Sequence, residues 1–242
     1  MLLGVKSYDN KDFFEHFKDS ADFFEVQAIE SKDYSFLESF KLPFVVHAEH
    51  LGFGINIADK KLEKKNINAI KFAIKIADLA KAKKIIVHPG KMLNPDCLMK
   101  QSIKILDIID DDRIIIENLP SLSNGLCDTP ENTKIFLDRS GKRLILDINH
   151  AIETAVLNNL DYINYLKSFI RLKPKHYHFG GQIIHNKDYK THLSFRESNI
   201  DHENIMKIIP KSAEMTLEVT TNIKKTEYDL AFIRDIIRNQ SG

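Results

Sequence analysis

The feature that most constrains this chain is where its short apolar runs stop. VVHAE carries His47, IIVHPG carries His88, IIIEN carries Glu117, LILDINH carries Asp147 with His150 behind it, HYHFGG carries His178, and MTLEV carries Glu218. Each run is rich in Ile, Val or Leu, reads as a strand, and closes on a side chain that binds metals or moves protons. Longer segments of helical spacing lie between the runs. Continuous apolar runs, rather than strict alternation, are expected of parallel strands covered on both faces.

Eight such strands are expected, at Leu2–Val5, Phe23–Gln27, Phe44–His47, Ile85–His88, Arg113–Glu117, Leu144–Asp147, His176–Phe179 and Met215–Val219. In a chain of 242 residues they predict an α/β fold, a single (β/α)8 TIM barrel with residues 1–242 as one domain. The clearest helix is Leu62–Lys81, where Ile70, Ala73, Ile74, Ala77 and Ala80 form an apolar stripe opposite Lys64, Lys65, Lys71 and Lys75. A second is marked by Thr129 as cap, Pro130 in the first turn and Gly141 at the end.

Hydrophobic content of 43% and charged content of 29% fit an ordinary globular protein. A net charge of +1 gives no global attraction to nucleic acid or to a membrane surface. No run approaches the roughly 20 apolar residues that span a bilayer, and the opening MLLGVKSYDN has too short an apolar run for a signal peptide. Cys97 and Cys127 are not in CxxC spacing and read as reduced and structural, so a cytoplasmic location is expected.

In such a barrel the C-terminal strand ends face one mouth. His47, His88, Glu117, Asp147, His178 and Glu218 should therefore meet, with His150 leaning over the opening and His192 reaching it from a long loop. Clustered carboxylates repel one another unless a cation holds them ionised. Imidazole mixed with carboxylate suits manganese, zinc, cobalt or iron, whereas calcium prefers oxygen alone. The bland alternatives are hydrogen-bonded structural histidines and an Asp147 that only caps the next helix. His50 lies near the mouth, His176 is read as facing away from His178, and His16, His185 and His202 are read as surface residues. Glu25 and Gln27 share a face. Glu25 is a candidate substrate contact, and Arg196 and Lys91 are candidate phosphate contacts.

At these residues the chain resembles the xylose isomerase-like barrel superfamily, which includes the endonuclease IV family and sugar isomerases and epimerases. The resemblance runs from LLGVK to EYDLAF and rests on VVHAEH, IIVHPG, IIIENLP, LILDINHA, HYHF and MTLEV in that order. It implies that Glu117, Asp147, His178 and Glu218 hold one divalent metal, as in the epimerases. His47 and His88, sharing Glu117, correspond to ligands of a second metal in the endonuclease IV group, and His150 and His192 to ligands of a third. One to three ions per chain are thus expected. The chain departs from the endonuclease pattern at Lys190, where an aspartate ligand is expected and Asp188 stands two positions away. It departs again at FGGQ after His178, at FRES, and at Lys91.

What the resemblance implies first is isomerisation or epimerisation of a small sugar or sugar phosphate through a metal-stabilised enediolate. Glu117 and Glu218 would exchange protons there, with His150 on a substrate oxygen. The alternative is an endonuclease IV-like zinc-dependent phosphoester hydrolase. DNA is the less favoured substrate, because no set of basic and aromatic wedge residues is found. Dehydration of a hydroxy-carbonyl compound and non-catalytic binding rank lower. The sequence leaves the oligomeric state open.

Overall fold

Side chains along a strand alternate between its two faces, and in this protein that alternation decides what each run presents. The computed structural model describes residues 1–185 and 188–240. Eight parallel strands close into a barrel: β1 (Leu2–Ser7), β2 (Phe23–Gln27), β3 (Phe44–His47), β4 (Ile85–Val87), β5 (Ile114–Glu117), β6 (Arg143–Asp147), β7 (His176–Phe179) and β10 (Glu214–Leu217), with β10 pairing back onto β1. Between β7 and β10 an antiparallel hairpin, β8 (Gly181–His185) and β9 (Asp188–Leu193), stands outside the barrel. The expected (β/α)8 architecture is the one found. The hairpin replaces the long loop expected around His192.

One set of inward residues, Phe23, Val45, Ile86, Ile115 and Ile145, forms a buried cluster separate from the rest of the core. Two residues further along the same strands stand Glu25, His47, His88, Glu117 and Asp147. A single period-two step therefore turns an apolar plug into a polar ring. The outward residues of the same strands, among them Leu3, Val5, Val46, Ile85, Ile114, Ile116, Leu144 and Leu146, join the larger core beneath the helices.

The helices are α1 (Lys11–Phe17), α2 (Glu63–Leu79), α3 (Met99–Ile109), α4 (Pro130–Ser140), α5 (Ile148–Leu157), α6 (Tyr162–Ile170), α7 (His202–Ile208) and α8 (Ile223–Asn239). Helix α2 buries Ile70, Ala73, Ile76 and Ala77 against the barrel. In α4 the Thr129 side chain accepts from Asn132 N, Pro130 begins the helix, and Gly141 closes it at φ 65°. A short 3-10 turn, Ser35–Ser39, follows β2 in place of a full helix, and two helices, α5 and α6, follow β6. No helix among the described residues is long and apolar enough to cross a membrane.

Gly4 is the inward neighbour of Lys6 on β1, and a Cβ there would lie 2.2 Å from the Phe23 ring. Only glycine leaves room for that ring in the plug. Gly4→Val should lower unfolding free energy by roughly 1–3 kcal/mol through overpacking. Urea unfolding measures it, and an unchanged midpoint would mean that the plug has slack.

Candidate metal centre

Three overlapping groups of ligand atoms meet at the C-terminal end of the barrel. Glu117, Asp147, His178 and Glu218 form one, His47, His88 and Glu117 a second, and Asp147, His150 and His192 a third, each with its ligand atoms within 4.8 Å of one another. Glu117 and Asp147 are each shared by two groups, which places the three side by side.

Hydrogen bonds to backbone carbonyls and to Glu25 fix which ring nitrogen carries the proton. The Nδ1–H of His47 donates to the Ala48 carbonyl at 2.8 Å, and Nδ1–H of His150 donates to the Asn118 carbonyl at 2.9 Å. A carbonyl only accepts, so those nitrogens carry the protons. The Nε2 lone pair of His47 is left 3.2 Å from Glu117 Oε2, and His88 Nε2 lies 3.3 Å from the same oxygen. His178 uses its ring the other way round, with Nε2–H donating to Glu25 Oε2 at 2.9 Å and Nδ1 turned toward the cluster. This is the usual way that an outer carboxylate or carbonyl orients a metal-binding imidazole.

Asp147 serves two purposes. Its Oδ1 accepts from His150 N at 2.8 Å and caps α5, while Oδ2 has no hydrogen-bond partner. Glu218 Oε2 and His178 Nδ1 also lack one. The last two lie 2.7 Å apart but are not aligned as a hydrogen bond. Three buried ligand atoms without an aligned hydrogen bond, in one cluster, would be costly if left alone. Their mixed oxygen and nitrogen chemistry fits a divalent ion.

The electrostatics agree. Burial, then the neighbouring Glu117 and Glu218 carboxylates, push Asp147 up to about 7. Burial also opposes ionisation of Glu117, but the His88 and His178 imidazoles outweigh it and hold that carboxyl well below its ordinary value. Burial drives His50 down to about 2, with His88 and His47 adding to the effect. Its ring stacks on His88 with centroids 4.8 Å apart.

Lys6 is a site residue absent from the sequence expectations. Its ammonium lies 2.8 Å from Glu218 Oε1 and 3.1 Å from Glu25 Oε1, with only 12% of the side chain exposed. Lys6, Glu25, His178 and Glu218 thus close a four-membered ring of polar contacts. Burial disfavours the ammonium, yet Glu218, Glu25 and Glu117 raise it well above lysine's ordinary value. The signal was present in LLGVKS: with Leu3 and Val5 facing the helices, Lys6 falls on the inward face.

Below that ring a polar column continues down the barrel. Thr216 Oγ1 donates to Glu25 Oε2 at 2.7 Å, and His176 Nε2–H donates to Thr216 Oγ1 at 2.8 Å. Lys84 Nζ donates to His176 Nδ1 at 3.4 Å and pairs with Glu214 at 2.6 Å. The expectation that His176 faces away from His178 is corrected here. Residues two apart on a strand share a face, and both rings point inward.

Other expected contacts are placed differently. Glu25 is fully buried beneath the ligands, bonded to His178 and Thr216, and does not line the cavity. Gln27 does not line the cavity either: its amide Nε2 donates to the His47 and Ala48 carbonyls. Arg196 lies over the Tyr228 ring at 4.0 Å, also away from the cavity. His202 is half-buried against Phe195 and Phe232 and is not a surface residue, whereas His16 is exposed and pairs with Glu227. Lys190 is exposed, and the side chains of Asp188 and His185 lie outside the described residues.

The ligand groups open into a cavity of about 390 Å³ lined by His50, Leu51, Lys91, Leu119 and Pro120 besides the ligands. Residues 12–236 match the family described as xylose isomerase-like TIM barrel. The chain belongs to that family. It is 22% identical over 216 residues to an uncharacterised protein of Methanocaldococcus jannaschii, covering 83% of this chain and 80% of that one. Its fold is similar to that of a D-tagatose 3-epimerase-like protein, with TM-score 0.79, 17% identity and 100% of both chains covered. It is similar as well to endonuclease IV from Thermus thermophilus, with TM-score 0.77, 16% identity, and 99% of this chain and 100% of that one covered. The fold is thus shared with proteins described as epimerase-like and as endonuclease IV.

The ring gives a prediction with a definite sign. Lys6→Met removes the cation that separates Glu25 from Glu218, so in chelator its melting temperature should fall by roughly 10 °C. Saturating manganese should recover most of that loss, and by linkage the variant should bind manganese more tightly than wild type. Equal losses with and without metal would reduce Lys6 to a packing residue.

Proposed function

We propose that this chain is a multinuclear divalent-metal hydrolase of small phosphoesters. The observation that carries the reading is the array itself, in which His47, His88, Glu117, Asp147, His150, His178, His192 and Glu218 form three overlapping ligand groups. A one-metal isomerase has no use for His47 and His88 turned onto Glu117, nor for His192 beside His150.

Divalent ions held by these residues would supply Lewis acidity and would lower the pKa of a bound water. The chain's own residues do the rest. Glu117 and Asp147 offer one carboxylate to two neighbouring positions each. Ala48, Asn118 and Glu25 hold the rings of His47, His150 and His178 so that little reorganises during reaction. Leu51, Leu119 and Pro120 give the cavity apolar walls, and its size suits a small substrate. A net charge of +1 supplies no global attraction to duplex DNA.

Isomerisation of a sugar or sugar phosphate is the second reading, and one observation favours it. Asp147 Oδ2, His178 Nδ1 and Glu218 Oε2, buried and without a hydrogen bond, all belong to the four-ligand group. That group alone would serve an isomerase, with Glu117 and Glu218 moving protons. The Lys6 contact on Glu218 Oε1 works against it, because it engages one oxygen of a carboxylate that must exchange protons.

Metal content by inductively coupled plasma mass spectrometry, paired with assays on phosphoester and sugar panels, separates the two. Two or more ions per chain are expected, with phosphoesterase turnover falling more than about 100-fold in His88→Ala. Glu218→Ala should abolish turnover under either reading. One ion per chain, with sugar isomerisation that survives His88→Ala, would replace the hydrolase reading with the isomerase.

A further inference from the structure

Lys91 stands at the lip of the cavity, three residues beyond His88, and its position is unusually well determined for a loop lysine. Its backbone N–H donates to Asn56 Oδ1 at 2.9 Å, and its carbonyl accepts from Asn56 Nδ2 at 2.9 Å. It bridges to Gly125 across the loop, while Met92 N and Leu126 N on either side bond to Asn124 O and Gly90 O. Gly90 just before it holds φ 101°, and a Cβ there would meet Ala58 and Asn56 at 2.7 Å. The backbone of Lys91 is therefore anchored on two sides before any ligand arrives.

Its ammonium is different. Lys6 and Lys84, the other lysines of the barrel interior, both make ion pairs. Lys91 Nζ has neither a hydrogen bond nor an ion pair among the described residues, although the residue is only partly exposed and lines the cavity beside His50 and His88. Glu153 is the carboxylate whose field reaches it, without forming an ion pair among the described residues. Partial burial already disfavours the charged form. A partly desolvated cation fixed at the edge of a metal centre, with its own donors unused, is an anion site awaiting its partner.

We infer that Lys91 binds a second anionic group, a phosphate or a carboxylate, on a small phosphorylated substrate whose reacting phosphoryl group lies over the ligand array. This rests on the phosphoester reading and narrows it to substrates with two anionic ends. Lys91 is then a specificity-determining residue that discriminates such substrates from simple monoesters.

Calorimetric titration of the manganese-loaded full chain tests this with three probes: methyl phosphate, phosphoglycolate and propane-1,3-bisphosphate. Wild type should bind one or both of the two-anion probes about tenfold or more tightly than methyl phosphate. A preference for phosphoglycolate identifies a carboxylate as the second group, and a preference for the bisphosphate identifies a phosphate. Lys91→Gln should erase the advantage over methyl phosphate, and Lys91→Arg should keep it. Equal binding of all three by wild type, or an advantage that persists in Lys91→Gln, overturns the Lys91 site while leaving the hydrolase reading in place. Failure of the loaded protein to bind any of the three sinks both.

Discussion

Four carboxylates, Glu25, Glu117, Asp147 and Glu218, share the interior of one small barrel, and the rest of the centre is arranged around their mutual repulsion. Water cannot screen them well, since three of the four are almost wholly buried and Glu218 is 20% exposed. The chain answers with one fixed ammonium, a set of imidazoles and a helix cap. Lys6 separates Glu218 from Glu25, His178 bridges the same two from the other side, and Asp147 spends one oxygen on the first turn of α5. What remains unmatched is concentrated in a few inward-facing atoms, where a divalent ion would be most strongly attracted.

Much of this was legible in the sequence because strand ends in a parallel barrel obey a simple rule. The apolar runs gave eight strands in the right order, with bounds differing from the structure by at most two residues at either end. What was missed follows from applying the period-two rule unevenly. His176 was set out of phase with His178, although two residues separate them. Lys6 went unnoticed because its run, LLGVKS, ends on a residue type not associated with metals. The hairpin carrying His192 had no such signal, and neither did the stacking of Arg196 on Tyr228, since both depend on chain segments that meet only after folding.

The family relationship constrains the scaffold more tightly than the chemistry. A barrel of this kind supports many reactions by changing residues at one end, and proteins described as epimerase-like and as endonuclease IV superpose on this chain about equally well. The distinction therefore lies in individual side chains: whether His47 and His88 are present and aimed, whether Glu218 is free to move, and what stands at the lip. Lys6, beneath the ligands, and Lys91, on the cavity wall, both bear on those questions.

The polar column beneath the ligands has a further consequence. In most barrels of this type the interior is a packed apolar filling that separates a working end from a supporting end. Here Glu214, Lys84, His176, Thr216 and Glu25 interrupt that filling along one side and carry hydrogen bonds from the far rim to the ring that orients His178. The two ends of the barrel are consequently not insulated from each other. Five consecutive contacts therefore join a carboxylate at the far rim to the imidazole of His178.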